Sequence, residues 1–155
     1  MNRPVHPELY LEDFAPGQVF RAGSVVMTTE AIKAFSREFD PQPFHMDEVA
    51  GRDSLFQGLA ASGWHTAAVT MKLMTSGPFR PAGGNIGARL EELRWPQPTR
   101  PGDELRVETE VLEARPSESR PGFGWLKVRT TTFNQKNEVV QSYVANVIVL
   151  SRAAA

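Results

Sequence analysis

The chain has 155 residues, of which 41% are hydrophobic and 23% are charged, a composition typical of a single globular domain over residues 1–155. Its 17 Lys and Arg nearly balance its 18 Asp and Glu, so the net charge does not suggest a nucleic acid or an anionic membrane as partner. It contains no cysteine, which excludes disulfides, thiolate metal sites and thiol nucleophiles.

Residues 1–17 read as a polar lead-in that ends in a turn at Ala15-Pro16-Gly17. Prolines and acidic residues interrupt its apolar positions, which is not the pattern of a signal peptide. We therefore expect a cytoplasmic protein. Val19 to Met27 then predicts a first strand.

A helix is predicted next, opening at Thr28-Thr29-Glu30 with a hydroxyl cap followed by an acid. Pro41 disfavours helical geometry at the preceding residue, so the helix should end near Asp40. Its apolar face repeats at helical spacing, at Ile32, Phe35 and Phe39. Residues 47–50 predict a cap and a short second helix.

The stretch from Leu59 to Gly77 carries one charge, Lys72, and predicts a buried central helix. Ser62 is a favourable N-cap, and Gly77-Pro78 should end the helix. Its apolar residues occupy most sides, which is typical of a helix wrapped by the rest of the domain. The main apolar stripe is Trp64, Ala67, Ala68, Met71 and Met74. The histidine, lysine and hydroxyl residues of this stretch argue against a membrane span.

From residue 85 onward the apolar residues alternate with a period of two, which predicts strands near 86–95, 103–113, 124–133 and 139–150. The alternation slips across Glu91-Glu92, which indicates a β-bulge. We expect these four strands to follow one another as an antiparallel meander. The fold class is therefore predicted to be α+β.

Asp40 and His45 are the first candidates for a reactive site. Pro41 and Pro43 restrict the loop between them, so an acid and a histidine five residues apart can be directed at one point. The residues alone leave another interpretation equally open, in which Asp40 only tolerates a turn and His45 packs beside its neighbour.

Gly63 is a third candidate, because the first N–H groups of a helix lack partners within the helix and suit a developing oxyanion. We interpret His65 as a hydrogen-bonded structural histidine and His6 as solvated. The spacing of the histidines is not that of a metal site, and none is expected. A Ser-His-Asp triad stays open, although the chain has no G-x-S-x-G elbow.

Residues 40–45, D-P-Q-P-F-H, followed by Ser62-Gly63, resemble the signature of the MaoC-like dehydratases, the (R)-specific enoyl-CoA hydratases. The motif of that family is D-x-N-P-x-H, followed by H-G or S-G at the start of the central helix. Residues 101–103 are also similar to its P-G-D turn. The chain departs from the pattern at Gln42, where Asn is common, at Ser62, where many of the hydratases have His, and at Trp64, where a smaller apolar residue is usual.

The resemblance implies a hot-dog fold, an antiparallel sheet wrapped around a central helix. It implies that Asp40 and His45 hold a water and act as base and acid, adding it to a trans-2-enoyl thioester to give the (R)-3-hydroxyacyl product. The Gly63 N–H would polarise the thioester carbonyl. The residues expected to contact the substrate are Gln42, Ser62 and Trp64. An acyl-CoA is the expected substrate, with no cofactor and no metal.

Two other functions stay open. A hot-dog acyl-CoA thioesterase usually directs water with a carboxylate on or near the central helix, and residues 54–90 contain no Asp or Glu. A non-catalytic acyl-thioester-binding module is disfavoured by the Asp40 and His45 pair, while Gln42 keeps it open. We rank the hydratase first.

The span that lacks acids is positively charged through Lys72, Arg80 and Arg89. This charge suits an anionic ligand such as CoA, although it is equally consistent with an ordinary surface. A lone sheet of this size leaves a face and an edge to cover, so we expect a homodimer or a higher homo-oligomer.

Overall fold

A computed structural model describes residues 5–154 of the chain. The strands are β1 Val19–Val26, β2 Ile86–Arg94, β3 Glu104–Pro116, β4 Phe123–Phe133 and β5 Val139–Leu150, and the helices are α1 Thr29–Phe39, α2 Glu48–Arg52 and α3 Gly63–Ser76. Short 3-10 helices lie at Leu11–Asp13, Pro43–His45 and Arg152–Ala154. These bounds confirm the predicted helices and strands to within a few residues.

The strands pair antiparallel in the order β1-β3-β4-β5-β2. The predicted meander is therefore correct for β3, β4 and β5 and wrong for β2, which crosses to the far side of β5. β1 pairs with the side of β3 that β4 does not cover. The prolines that follow β2 also prevent a tight hairpin between β2 and β3. The predicted β-bulge is confirmed, with a register shift after Glu91 and a positive φ of 53° at Glu92.

The core lies between α3 and one face of the sheet. In β3 the residues Leu105, Val107 and Val111 are buried and alternate with charged residues that face solvent. Strand β4 contributes Leu126 and Val128 to the same core. The sheet curls around α3, which packs against β1, β3 and β5. The predicted α+β class and hot-dog fold are confirmed.

The buried side of α3 differs from the predicted stripe. Val69, Leu73 and Met74 pack in the core, whereas Trp64 is 58% exposed and Met71 is also exposed. The prediction of a helix wrapped on most sides is wrong for the single chain, because one sheet covers only one side of a helix. A face with two large apolar side chains is left uncovered.

Two smaller predictions also change. The lead-in is not merely polar, because Leu11 and Phe14 belong to the core and the Leu9 N–H donates to the Arg80 carbonyl at 2.8 Å. Its first four residues lie outside the described part of the chain. In α1, Ile32 is fully buried but Phe39 is exposed, so the apolar face is shorter than its spacing predicts.

Candidate functional site

The loop between α1 and α2 holds the two predicted reactive residues. Helix α1 ends at Phe39, ahead of Pro41, as the proline rule predicts. The Gln42 N–H then donates to the Asp40 carbonyl at 2.7 Å, and Pro43 starts the 3-10 helix that ends at His45. Two prolines and this turn leave the loop little conformational freedom.

Asp40 and His45 face each other across this loop. His45 Nε2 lies 3.3 Å from Asp40 Oδ2, and both side chains are largely buried, 5% and 18% exposed respectively. His45 Nδ1 lies 2.6 Å from the Ala60 carbonyl, which can only accept, so Nδ1 carries a proton and donates it. In the neutral ring Nε2 is then free to accept a proton.

Gln42 and Ser62 both contact Asp40. Gln42 Nε2 donates to Oδ1 at 2.6 Å, and Ser62 Oγ donates to Oδ2 at 2.7 Å. Burial raises the pKa of Asp40, but these hydrogen bonds and the His45 ring outweigh it and hold the pKa below its ordinary value of 3.8. Asp40 is therefore a carboxylate at neutral pH.

Gly63 begins α3 directly beside this carboxylate. Ser62 caps the helix by accepting from the Trp64 N–H at 3.3 Å. Among the described contacts, the Gly63 N–H has no acceptor, as expected at a helix N-terminus. Glycine is required for space as well, because a Cβ here would lie 2.6 Å from Cε2 of Trp95.

A cavity of about 260 Å3 opens at this point. Of the predicted site residues, Asp40, His45, Gly63 and Trp64 line it. Gln42 and Ser62 lie behind Asp40, so the structure brings them to the carboxylate and not to the cavity wall.

Several lining residues were missed in the sequence. They include Phe56, Trp95, Thr99 and Val140, which come from three separate segments. The chain offers only a weak signal for Trp95, a bulky aromatic between a bulged strand and a run of prolines. Long-range pairing of β2 with β5 brings the segment of Trp95 beside that of Val140.

A larger groove of about 490 Å3 lies elsewhere, between β1 and the last turns of α3. Arg21, Ser24 and Lys72 line it, and the Asp40 and His45 pair does not. We place the candidate site at the smaller cavity, since the paired acid and histidine lie there. Neither Arg80 nor Arg89 lines that cavity, and Arg89 pairs with Glu91 at 3.2 Å.

His65 does not line the cavity of Asp40 and His45. Its ring stacks on Phe35 with 4.7 Å between centroids and an interplanar angle of 7°. Its Nδ1 is buried without a partner in the described part of the chain, so the interpretation of a hydrogen-bonded histidine is wrong for this atom. Burial lowers the pKa of His65 and favours the neutral ring.

Within residues 5–154, no three His, Cys, Asp or Glu side chains lie together in a way that would hold a metal ion. The helices of this part of the chain are all too short or too polar to cross a membrane.

Residues 13–133 match the model of the family described as MaoC like domain. YdeM of Bacillus subtilis (strain 168), an uncharacterized protein, is 36% identical over 126 residues, which are 81% of this chain and 88% of YdeM. The mesaconyl-CoA hydratase of Cereibacter sphaeroides is 43% identical over 71 residues. These are 46% of this chain but only 20% of that protein.

Solved structures of similar fold include proteins named as dehydratases and hydratases. The MaoC-like dehydratase from Rhodospirillum rubrum has a TM-score of 0.89 and 55% identity, over 93% of this chain and 98% of that one. The (R)-hydratase from A. caviae involved in PHA biosynthesis has a TM-score of 0.72 and 24% identity, over 90% of this chain and 98% of that one, a likeness of fold. Because the family model matches well over half of its residues, the chain belongs to the MaoC-like domain family.

Proposed function

We propose that this protein is a hydratase that adds water reversibly to the double bond of a trans-2-enoyl-CoA to give the (R)-3-hydroxyacyl-CoA. The observation that carries the proposal is the pairing of Asp40 with His45, 3.3 Å apart, on the wall of a cavity. Family membership and the names of the hydratase relatives support the reaction class. CoA as carrier and the stereochemistry are part of the proposal.

The acid and base steps follow from the contacts of the pair. Water bound between Asp40 and His45 attacks C3 of the enoyl group, and Nε2 of His45 takes the proton that the water loses. The ionised Asp40 beside it stabilises the imidazolium. The same proton is returned to C2, so the pair is unchanged after one turnover and no electrons are transferred.

The electrons of the double bond move onto the thioester carbonyl during the attack. The Gly63 N–H points from the positive end of α3 and has no described acceptor of its own. It is suited to donate to that oxygen as the enolate forms. No metal and no redox cofactor are needed for this chemistry.

The experiment is a hydration assay with crotonyl-CoA, which follows the loss of the conjugated enoyl absorbance. Hydration with release of no free thiol supports the proposal. Release of free CoA without hydration identifies a thioesterase instead. Binding of crotonyl-CoA with neither reaction identifies a binding module.

We also propose that two copies of the chain form a homodimer along β2. This strand is an edge of the sheet, and its Ile86 and Leu90 are exposed. Trp64 and Met71 on α3 are exposed as well. An exposed edge strand with apolar side chains tends to be paired or covered, and a second copy joined along it would do so.

A further inference from the structure

Trp95 lies where the cavity meets the first turn of α3. Its ring contacts Gly63, at the position that any Cβ there would occupy. It also makes an edge-to-face contact with Trp64, with 5.4 Å between ring centroids. The two indoles together form one wall of the cavity that holds Asp40 and His45.

A buried amide holds this indole in place. Trp95 Nε1 donates to Gln141 Oε1 at 2.9 Å, and the Gln141 side chain is fully buried in β5. Gln141 Nε2 in turn donates to Thr70 Oγ1 at 3.1 Å. If the indole rotated away from the cavity, the buried side-chain carbonyl of Gln141 would lose its hydrogen-bond donor, which is unfavourable. The Trp95 ring is therefore held in one position beside the cavity, although the residue is 40% exposed.

The cavity is small, and among its lining residues only Asp40 and His45 are ionisable. Its volume of about 260 Å3 is below the range of roughly 300–1,000 Å3 that is usual for small-molecule sites. No lysine or arginine lines it among the residues that the structure describes. The hydroxyls of Thr66 and Thr99, 3.0 Å apart, are its other buried polar groups.

We infer that Trp95, held by Gln141, closes the acyl end of the site and restricts it to short, uncharged enoyl groups. The inference rests on the proposed function and names the substrate class of that site. We expect a four-carbon enoyl group and one water to be accommodated beside the pair in a cavity of about 260 Å3. A longer chain has to displace the indole, and a terminal carboxylate meets no cation.

The test compares kcat/KM for crotonyl-CoA and trans-2-octenoyl-CoA in the wild type and in Trp95→Ala. We expect the wild type to prefer crotonyl-CoA by at least about tenfold, and Trp95→Ala to raise the octenoyl-to-crotonyl ratio by about tenfold or more. Trp125→Ala is the matched control. Trp125 lies in β4 between the buried residues Gly124 and Leu126, so it faces away from the core and its loss should leave the ratio unchanged.

A wild type that hydrates both chain lengths equally well would overturn the inference. An unchanged ratio in folded Trp95→Ala would overturn it too. If Trp95→Ala does not fold, Gln141→Leu keeps the indole and removes its anchor, and the ratio should rise in the same direction. An enoyl-CoA of crotonyl length with a terminal carboxylate should be at least about tenfold poorer than crotonyl-CoA, and equal turnover would contradict the uncharged class.

Binding separates this inference from the proposed function. Calorimetry with butyryl-CoA and octanoyl-CoA measures the fit of the acyl group without any reaction. If Trp95→Ala gains octanoyl-CoA binding, the result supports the inference that Trp95 limits the length of the acyl group. If in addition no enoyl-CoA is hydrated, only the proposed hydratase function is contradicted. If the wild type hydrates enoyl-CoA but Trp95→Ala has the same octenoyl-to-crotonyl ratio, only the inference about Trp95 is contradicted.

Discussion

At the scale of single residues, the two carboxylate oxygens of Asp40 have different neighbours. Oδ1 accepts from Gln42, whereas Oδ2 accepts from Ser62 and faces His45. A carboxylate that accepts several hydrogen bonds stays ionised but becomes a weaker base. This favours His45 as the group that carries the proton and Asp40 as the group that stabilises its charge, so the two should behave as one unit.

The first prediction concerns that unit. Asp40→Asn keeps the shape and removes the charge, and His45→Gln removes the proton carrier. Each should lower kcat by roughly a hundred- to ten-thousand-fold. The double variant should lose far less than the product of the two losses, because the residues act together. Kinetics with crotonyl-CoA and melting temperatures measure both effects.

Asp53→Asn is the control for the first prediction, since its side chain is 73% exposed and lies outside the cavity. Its kcat should equal that of the wild type. Gln42 and Ser62 donate to different oxygens of Asp40, and an Asn at position 40 keeps only one oxygen, so a loss of about 1 kcal/mol in stability is expected there. Folded variants with normal hydration rates would remove Asp40 and His45 from the mechanism.

The second prediction concerns Gly63. Gly63→Val forces a side chain into the Trp95 ring. The clash moves the backbone N–H of residue 63 away from the thioester carbonyl of the substrate, so turnover should fall by about a hundredfold or more. Adding Trp95→Ala relieves the clash, and the melting temperature should recover in the double variant. Near-normal hydration by Gly63→Val would contradict the oxyanion role.

At the scale of elements, the N-terminus of α3 joins stability to chemistry through Ser62. One hydroxyl accepts from the Trp64 N–H as the helix cap and donates to Asp40. The start of the helix and the carboxylate are thereby held in one position. A serine can fill both roles because its hydroxyl donates and accepts at one atom.

The third prediction follows from this double role. Ser62→Ala removes a hydrogen bond that lowers the pKa of Asp40, so that pKa should rise. Activity needs the ionised carboxylate, so the part of the kcat/KM profile that reports protonation of Asp40 should move to higher pH. The stability that comes from the depressed pKa is present above the unfolded value of 3.8 and lost as the pH falls below it. Ser62→Ala should lose part of this stability.

A cap variant of another helix is the control for the third prediction. Thr28→Ala removes the cap of α1, whose hydroxyl accepts from the Ala31 N–H. Each cap variant should cost about 0.5–2 kcal/mol in stability, but only Ser62→Ala should shift the pH profile. Ser62→Thr should restore it. An unshifted profile in Ser62→Ala would show that Ser62 acts as a cap alone.

At the scale of the whole molecule, the sheet has two edges that differ in their neighbours. β1 lies at one edge and β2 at the other. The apolar residues Ile86 and Leu90 of β2 are exposed. Together with the uncovered face of α3, this edge is the surface on which we expect the second copy.

The fourth prediction tests that surface. Leu90→Asp places a charge on β2 and should convert the dimer into a monomer of 17.2 kDa in sedimentation. Val26→Asp is the matched control, because Val26 is similarly exposed but lies on the opposite edge strand, and it should stay dimeric. A stable wild-type monomer at micromolar concentration would contradict the proposed dimer.

Local chemistry determined much of this molecule from the sequence by itself. Ser62 and Gly77 set the ends of α3 because caps act on the nearest turn of a helix. Pro41 and Pro43 restrict the loop of Asp40 and His45 through their own ring geometry. The alternation in β3 and β4 fixes which residues face the core, since the strand period is independent of distant partners.

Tertiary structure alone decided the remaining features, because each depends on residues that are far apart in sequence. Pairing of β2 with β5 brings Trp95 to Gln141, 46 positions away, and thereby forms one wall of the cavity. The approach of the α1–α2 loop to α3 turns Ser62 towards Asp40, 22 positions away. Neither contact follows from local propensity or periodicity. The stripe predicted for α3 was wrong for the same reason, since the position of the sheet decides which side of a nearly all-apolar helix is covered.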